Sequence, residues 1–329
     1  MGKVGLFVLL SSIFILRSHV YSTNQDKLDR GSLEVEVDKL TSPNADPLLC
    51  MIMNRSHTIP RSTNKDNGAK ALFMVAAHVM DSQSFYGIEV TSDMYGFSIN
   101  QDERSGIIIQ INNRGANPFS LVNGIVMGWH VDPTLYGDSK THFFVYWTRD
   151  SYQKTGCYNL KCPGYIPEAN VPVMPGVTID DVSDPDGVKR DIIFKVFKDS
   201  GGDWQMHLGF DSEPYLIGRF PKSLFTTLSN EANEIRLYGF VETRTTHLVP
   251  MGSGFRSDNK KAASLSNIQL IDQNGQASKV PENVSRYAYT TDQAIYSVSW
   301  SSPEAKNSSQ YSFSKKKNSS QYSILLRSR

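Results

Sequence analysis

The chain has 329 residues, 39% hydrophobic and 20% charged, with 34 Lys and Arg against 33 Asp and Glu. A net charge of +1 excludes the basic surplus with which polyanion binders neutralise phosphates, so no nucleic-acid partner is expected. Aromatics at 11% and near-zero net charge exclude a wholly disordered chain, and 15 Pro, 23 Gly and short apolar runs favour a turn-rich β protein.

At the N-terminus, Lys3 precedes an apolar stretch from Val4 to Leu16, followed by Val20 and Ser22 at the spacing of a signal-peptidase site. Residues 1–22 are therefore read as a signal peptide and the mature chain as secreted and extracellular, free of the membrane after cleavage. The rival, a short membrane anchor, would be the only one, since no other stretch approaches the roughly 20 apolar residues of a spanning helix. Residues 23–68 form a short N-terminal segment ahead of the globular part, which is placed at residues 69–300.

Within that part, period-two alternation predicts strands around Ile107 to Ile111 and Trp204 to Phe210. Further β-rich runs are His142 to Thr148, Ile192 to Phe197, Leu237 to Thr245 and Asn267 to Ile271. Turn signals fall between them, at Asp184 to Gly187 and Ser200 to Gly202. One helix is predicted: Pro221 suits a first helical position, and Leu224, Phe225, Leu228, Ala232 and Ile235 recur along one face. Many strands and one inserted helix predict an all-β antiparallel β-sandwich, with a barrel as the alternative.

Residues 301–329 are Ser-, Lys- and Asn-rich, and the heptad at Lys306 to Ser312 recurs at Lys317 to Ser323. With few apolar residues, this reads as a disordered tail with a short duplication. Asn-x-Ser sequons stand at Asn54, Asn283, Asn307 and Asn318, and export would expose each to glycosylation. Export also favours a disulfide between Cys157 and Cys162, closing a tight loop. A zinc site there would need two more ligands, and no His lies nearby. Cys50 is left over, either free or pairing between chains.

Standard catalytic signatures are missing: there is no GxSxG, HExxH, P-loop or GxGxxG following a strand. The seven His show no i,i+4 pairing, and the acidic loop Asp180 to Gly187 does not match a calcium-binding register. No metal and no cofactor is expected.

The informative block runs from residue 123 to 165. Gly128, Trp129, Val131, Pro133, Leu135, Tyr136, Gly137 and Asp138 are followed by Phe144, Tyr146, Trp147, Thr148, Asp150 and Tyr152. Thr155, Gly156, Cys157, Tyr158, Asn159, Leu160 and Cys162 complete it. In order and spacing these motifs resemble the neprosin family of secreted plant proteins. The likeness extends through Lys198, Asp199 and Trp204, the run Ile217 to Pro221, and Met251 to Gly254 before Asn267 to Gln269. Upstream, Thr58 to Arg61 is similar to the end of the family's activation segment, of which residues 23–68 would be a remnant.

The resemblance implies a glutamic-peptidase-like sandwich. Two Glu carboxylates face each other across a cleft, and cleavage after proline at acidic pH is typical. One carboxylate would act as base on a water while the other shares protons, their repulsion splitting the two titrations. Here aligning on Asn123, Ile125, Gly128 and Trp129 puts Val126 at the first Glu position; aligning on Ile235, Gly239 and Val241 puts Phe240 at the second. Neither side chain can move a proton, so the chain is expected to be a divergent, folded, non-catalytic member lacking both catalytic Glu. The cleft would persist as a groove for a proline-containing peptide, lined by Trp129, Tyr146 and Trp147, unless these aromatics are sandwich core. Two alternatives stand beside this: an active acid glutamic endopeptidase using the displaced Glu242, and a cell-wall polysaccharide-binding sandwich.

Overall fold

β-Branched and aromatic residues at every second position commit most of this chain to strands, each with one face for the interior. The computed structural model describes residues 72–117, 120–245, 249–255, 257, 259–291, 296, 298–301, 309–314 and 323–328. The signal expected over 1–22, the segment over 23–68, Cys50, Asn54, Asn307 and Asn318 lie outside the described residues.

In chain order the strands begin with β1 (Leu72–Phe85), β2 (Gly87–Asp93), β3 (Arg104–Asn113), β4 (Asn123–Val131), β5 (Thr141–Thr148) and β6 (Cys157–Tyr158). Next come β7 (Ile166–Pro167), β8 (Asp191–Lys198), β9 (Trp204–Phe210), β10 (Tyr215–Phe220), β11 (Ala232–Thr243) and β12 (Ala263–Ile271). The last are β13 (Ala277–Lys279), β14 (Ser285–Thr290), β15 (Val298–Ser301), β16 (Ser309–Ser314) and β17 (Ser323–Ser328). They form two sheets. The first, of seven strands, is ordered β14-β1-β11-β3-β4-β5-β6; the second runs β15-β16-β17-β12-β2-β8-β9-β10-β7, with β13 added to β12. Pairing is antiparallel except that β17 runs parallel to β12. The predicted sandwich is what the sequence forms.

The core lies between the sheets. Ile107, Ile109, Ile111, Met127, Trp129 and Leu237 come from the first sheet; Ile88, Val90, Phe194, Met206 and Leu208 come from the second. Each such side chain contributes about 1.5–3 kcal/mol when fully buried. A second cluster covers the other face of the first sheet: Val75, Ala77, Ile108, Val126, Phe144, Tyr146, Tyr152, Tyr158, Tyr238 and Phe240. Both faces of that sheet are thus packed.

Two expectations change. The helix after Pro221 does not form: Lys222–Leu224 is a single 3-10 turn, while Ala232 and Ile235 belong to β11. Buried Asn123 is the reason. Its Oδ1 accepts from the backbone N–H of Thr226 (2.7 Å) and Thr227 (3.0 Å), and Trp204 Nε1 donates to the Leu228 carbonyl (2.9 Å). These groups would otherwise make the helical ladder. Among the described residues the α-helix is α1 (Pro133–Tyr136), capped by Asp132 accepting from Leu135 N (2.9 Å) and ended by Gly137 at φ 86°. The second change is in the tail, expected to be disordered, where backbone pairing joins β16 to both β15 and β17. Alternating Tyr311 and Phe313, then Ile324 and Leu326, give these short runs strand propensity that overall composition hides.

Candidate functional site

The face of the first sheet turned away from the second carries Val126 and Phe240, the two positions expected from the sequence to stand where Glu would. Along β11, Glu234, Arg236, Tyr238, Phe240 and Glu242 share this face, because strand side chains alternate. Phe240 pairs with Gly106 of β3, which pairs with His130 of β4; Val126 pairs with Gln110, which pairs with Arg236. Val126 and Phe240 therefore sit on the two strands flanking β3, two same-face rungs apart, with Ile108 and Tyr238 at the rung between. They are 0% and 4% exposed, and Phe240 stacks on Phe73 at 5.9 Å.

Glu242, the displaced candidate, lies one same-face rung beyond Phe240, opposite Arg104 and Phe73. Its Oε2 is paired with the Arg104 guanidinium, whose other nitrogen lies 3.9 Å from buried Asp132. Asp132 is itself spent on capping α1. The two carboxylates thus face one cation.

Of the three aromatics expected in the cleft, the structure keeps one on this face. Trp129 points into the interlayer core, its Nε1 donating to the Asp93 carbonyl (3.0 Å) and Ser92 Oγ (3.1 Å). Trp147 also joins that core, edge-on to Phe225 at 6.4 Å. Their odd numbering on β4 and β5 puts them opposite Val126 and Tyr146. Tyr146 remains on the outer face, packed on Tyr158 (4.5 Å) and Tyr152 (5.6 Å).

The loop after β5 builds this aromatic corner. Asp150 accepts from Thr155 Oγ1 (2.6 Å), Thr155 N and Lys154 N, fixing a tight turn that brings Tyr152 over the sheet. At Gly156 (φ 134°) a Cβ would stand 2.6 Å from the Tyr146 hydroxyl, so only glycine allows the chain to pass. The Cys157–Cys162 disulfide is present, closing the next loop with Cα atoms 5.9 Å apart. Tyr136, at the end of α1, accepts from Asn159 Nδ2 (3.1 Å), hydrogen-bonds His130 Nε2 (2.9 Å) and stacks on His142 (3.7 Å).

Sequence reasoning missed a buried polar network beside Val126. Gln110 Nε2 donates to Asn112 Oδ1 (3.0 Å) and the Tyr152 hydroxyl (3.1 Å), while Tyr238 donates to Gln110 Oε1 (3.0 Å). Asn112 Nδ2 donates in turn to Glu234 (2.7 Å), which also accepts from Arg236 Nε (2.8 Å) and Arg114 (2.8 Å). Burial pushes the Glu234 carboxyl up, but the Arg236 and Arg114 guanidiniums outweigh it and hold the group below its ordinary range. Opposite Glu234 on β1, Asp81 is shifted upward, by burial first and by the Glu234 charge second. The missed signal was parity: Gln110 and Asn112 on β3, like Glu234 and Arg236 on β11, are polar on one face of strands whose other face is aliphatic.

Among the described residues no three His, Cys, Asp or Glu side chains are grouped so as to hold a metal. No helix among them is long and apolar enough to cross a membrane.

The family model described as Neprosin matches residues 101–314, which include β4, β11 and the whole aromatic corner. Among solved structures, the chain is similar to scytalido-glutamic peptidase with a peptide-based transition-state analogue (TM-score 0.36, 10% identity, covering 70% of this chain and 95% of that one). It is also similar to SCP-B, a member of the eqolisin family of peptidases, in complex with the tripeptide Ala-Ile-His (TM-score 0.34, 11% identity, 70% and 94%). A mutant of alginate lyase Aly36B in complex with alginate trisaccharide matches over 56% of this chain and 66% of that one, at TM-score 0.28 and 13% identity.

Proposed function

The chain belongs to the neprosin family, and from that premise we propose that it is an exported member that does not cleave peptides by the two-carboxylate mechanism. The observation that supports this reading is the surroundings of Val126 and Phe240. Both motif positions lie in one apolar and aromatic cluster on a single sheet face, each at most 4% exposed. Neither accepts a proton, and general acid-base help of the kind they lack is worth about 10²- to 10⁴-fold per group.

The carboxylates nearest in the ladder do not replace them. Glu242 is held by Arg104, and the two oxygens of Glu234 accept hydrogen bonds from Asn112, Arg114 and Arg236. A base must hold a lone pair toward water; the Glu234 oxygens are taken by amide and guanidinium donors, and Glu242 faces a buried cation. The face is also shut: Val126, Tyr146, Tyr152, Tyr158 and Phe240 are all less than a tenth exposed, so a proline-containing peptide would reach it only by displacing what covers it.

The test is cleavage of a proline-containing peptide by purified protein from pH 2 to 6. No turnover above background is expected across the range. Robust turnover that Glu242→Gln abolishes while the variant stays folded by circular dichroism would establish the displaced-carboxylate enzyme instead, and turnover surviving that change would refute both readings.

A further inference from the structure

At the corner where β1 leaves the first sheet and β2 enters the second, the surface holds a recess of about 450 Å³. Phe85 and Val284, both buried, form its floor, while Ser84, Gln273, Ser278 and Asn283 stand at its rim. The side chains of Ser84, Gln273 and Ser278 make no hydrogen bond among the described residues, so the rim offers unspent donors and acceptors over an apolar base. That is the make-up of a site for a polar ligand with one apolar side.

Asn283 carries the sequon Asn283, Val284, Ser285. It is exposed, in a turn closed by Val284 N donating to the Pro281 carbonyl (3.2 Å), immediately before β14. The other lining segment closes its turn with its own hydrogen bonds. In the β12–β13 hairpin, Asp272 Oδ1 accepts from Asn274 N (2.8 Å) and Gln276 N (2.9 Å), and Gly275 adopts φ 77°. An attachment residue in the lining of the recess makes the occupant a tethered one, at high effective concentration.

We propose that this recess is the seat of an N-linked glycan carried by Asn283, whose first sugar packs on Phe85 and Val284 and hydrogen-bonds the serine and glutamine rim. A lipid-pyrophosphate-linked oligosaccharide supplies the sugar. The Asn283 amide nitrogen bonds the anomeric carbon and gives up one proton, while the lipid pyrophosphate leaves with the electrons of the broken C–O bond. The inference rests on export of the chain, so the experiment separates the two.

The full chain is produced in a glycosylating eukaryotic host in two forms, with its own N-terminus and behind an added leader of known function. Site occupancy is read by mass spectrometry. Occupancy in the second form alone would remove the export reading while leaving the glycan inference to be judged there. Expected is a glycan at Asn283 that Asn283→Gln and Ser285→Ala abolish and Ser285→Thr keeps. In native protein a peptide-N-glycosidase should release it about tenfold more slowly than in denatured protein, since release requires the seat to open. Amide exchange over residues 82–86 and 272–278 should quicken in Asn283→Gln. An unoccupied Asn283 behind the added leader, or release equally fast in native and denatured protein, overturns the proposal.

Discussion

Phe240 and Glu242 occupy adjacent rungs on one face of β11, the first stacked on Phe73 and the second paired with Arg104. A two-residue displacement thus separates an apolar packing position from an ionic one. The acid that the sequence offers as a displaced carboxylate is paired with a buried cation.

Glu242→Gln is accordingly expected to act on stability. Arg104 and Glu242 are each less than a tenth exposed, and removing one partner of a buried pair leaves the other charge uncompensated. A loss of about 3–5 kcal/mol in urea unfolding is expected, softened here because Asp132 remains near the guanidinium. An unchanged unfolding midpoint would show the pair to be unimportant.

Val126→Glu tests the apolar character of the site directly. A carboxyl introduced at a position 0% exposed is pushed up by burial, so the folded protein binds its proton more tightly than the unfolded chain does. The variant should approach wild-type stability at acidic pH and lose it as pH rises through the raised folded value. Equal destabilisation at pH 4 and pH 8 would contradict the burial of this face.

Asn123→Ala should be among the costliest changes in the first sheet. Its Oδ1 gathers the N–H groups of Thr226 and Thr227 and its Nδ2 donates to the Arg149 carbonyl (2.9 Å). With several bonds of about 1 kcal/mol each lost and buried groups left bare, a destabilisation of about 3 kcal/mol is expected. Amide exchange over residues 225–230 should rise with it.

Asp191 gives the fold an acid-side contribution. Burial, then the charges of Asp93 directly opposite and of Asp211, push its carboxyl up to about 6, with Lys189 opposing. A raised folded value means stability that is present in full below the ordinary carboxyl range and is lost as pH rises through about 6. Asp191→Asn should flatten the stability profile between pH 4 and 6; a profile identical to wild type would exclude the coupling.

Reduction, or the Cys157→Ser, Cys162→Ser double variant, should cost about 2 kcal/mol by loop entropy. Loosening should be confined to the turn that carries Tyr158 and Asn159, read as faster amide exchange there.

How much of this could be read beforehand follows from which forces act locally. Ile107, Ile109 and Ile111 declared a strand because alternation is a local property, and the motif from Gly128 to Cys162 fixed the sheet around the site in the same way. The segment after Pro221 shows the opposite case. Its apolar spacing suits a helix, but Asn123, about a hundred residues earlier, captures the amides a helix would need. For Trp129 and Trp147 side-chain chemistry leaves groove and core both open, and it is parity along β4 and β5 that sends them inward. Parity also held the clue to Gln110 and Glu234, which a search for catalytic signatures does not register.

β3 serves two layers at once, giving Ile107 and Ile109 to the space between the sheets and Ile108 and Gln110 to the face beyond. The two layers share a backbone but not side-chain neighbours, so exchanges in one need few compensating exchanges in the other. Such a sheet can exchange outward residues one after another while the inner layer holds the fold. A lineage can then lose a reaction long before it loses a protein.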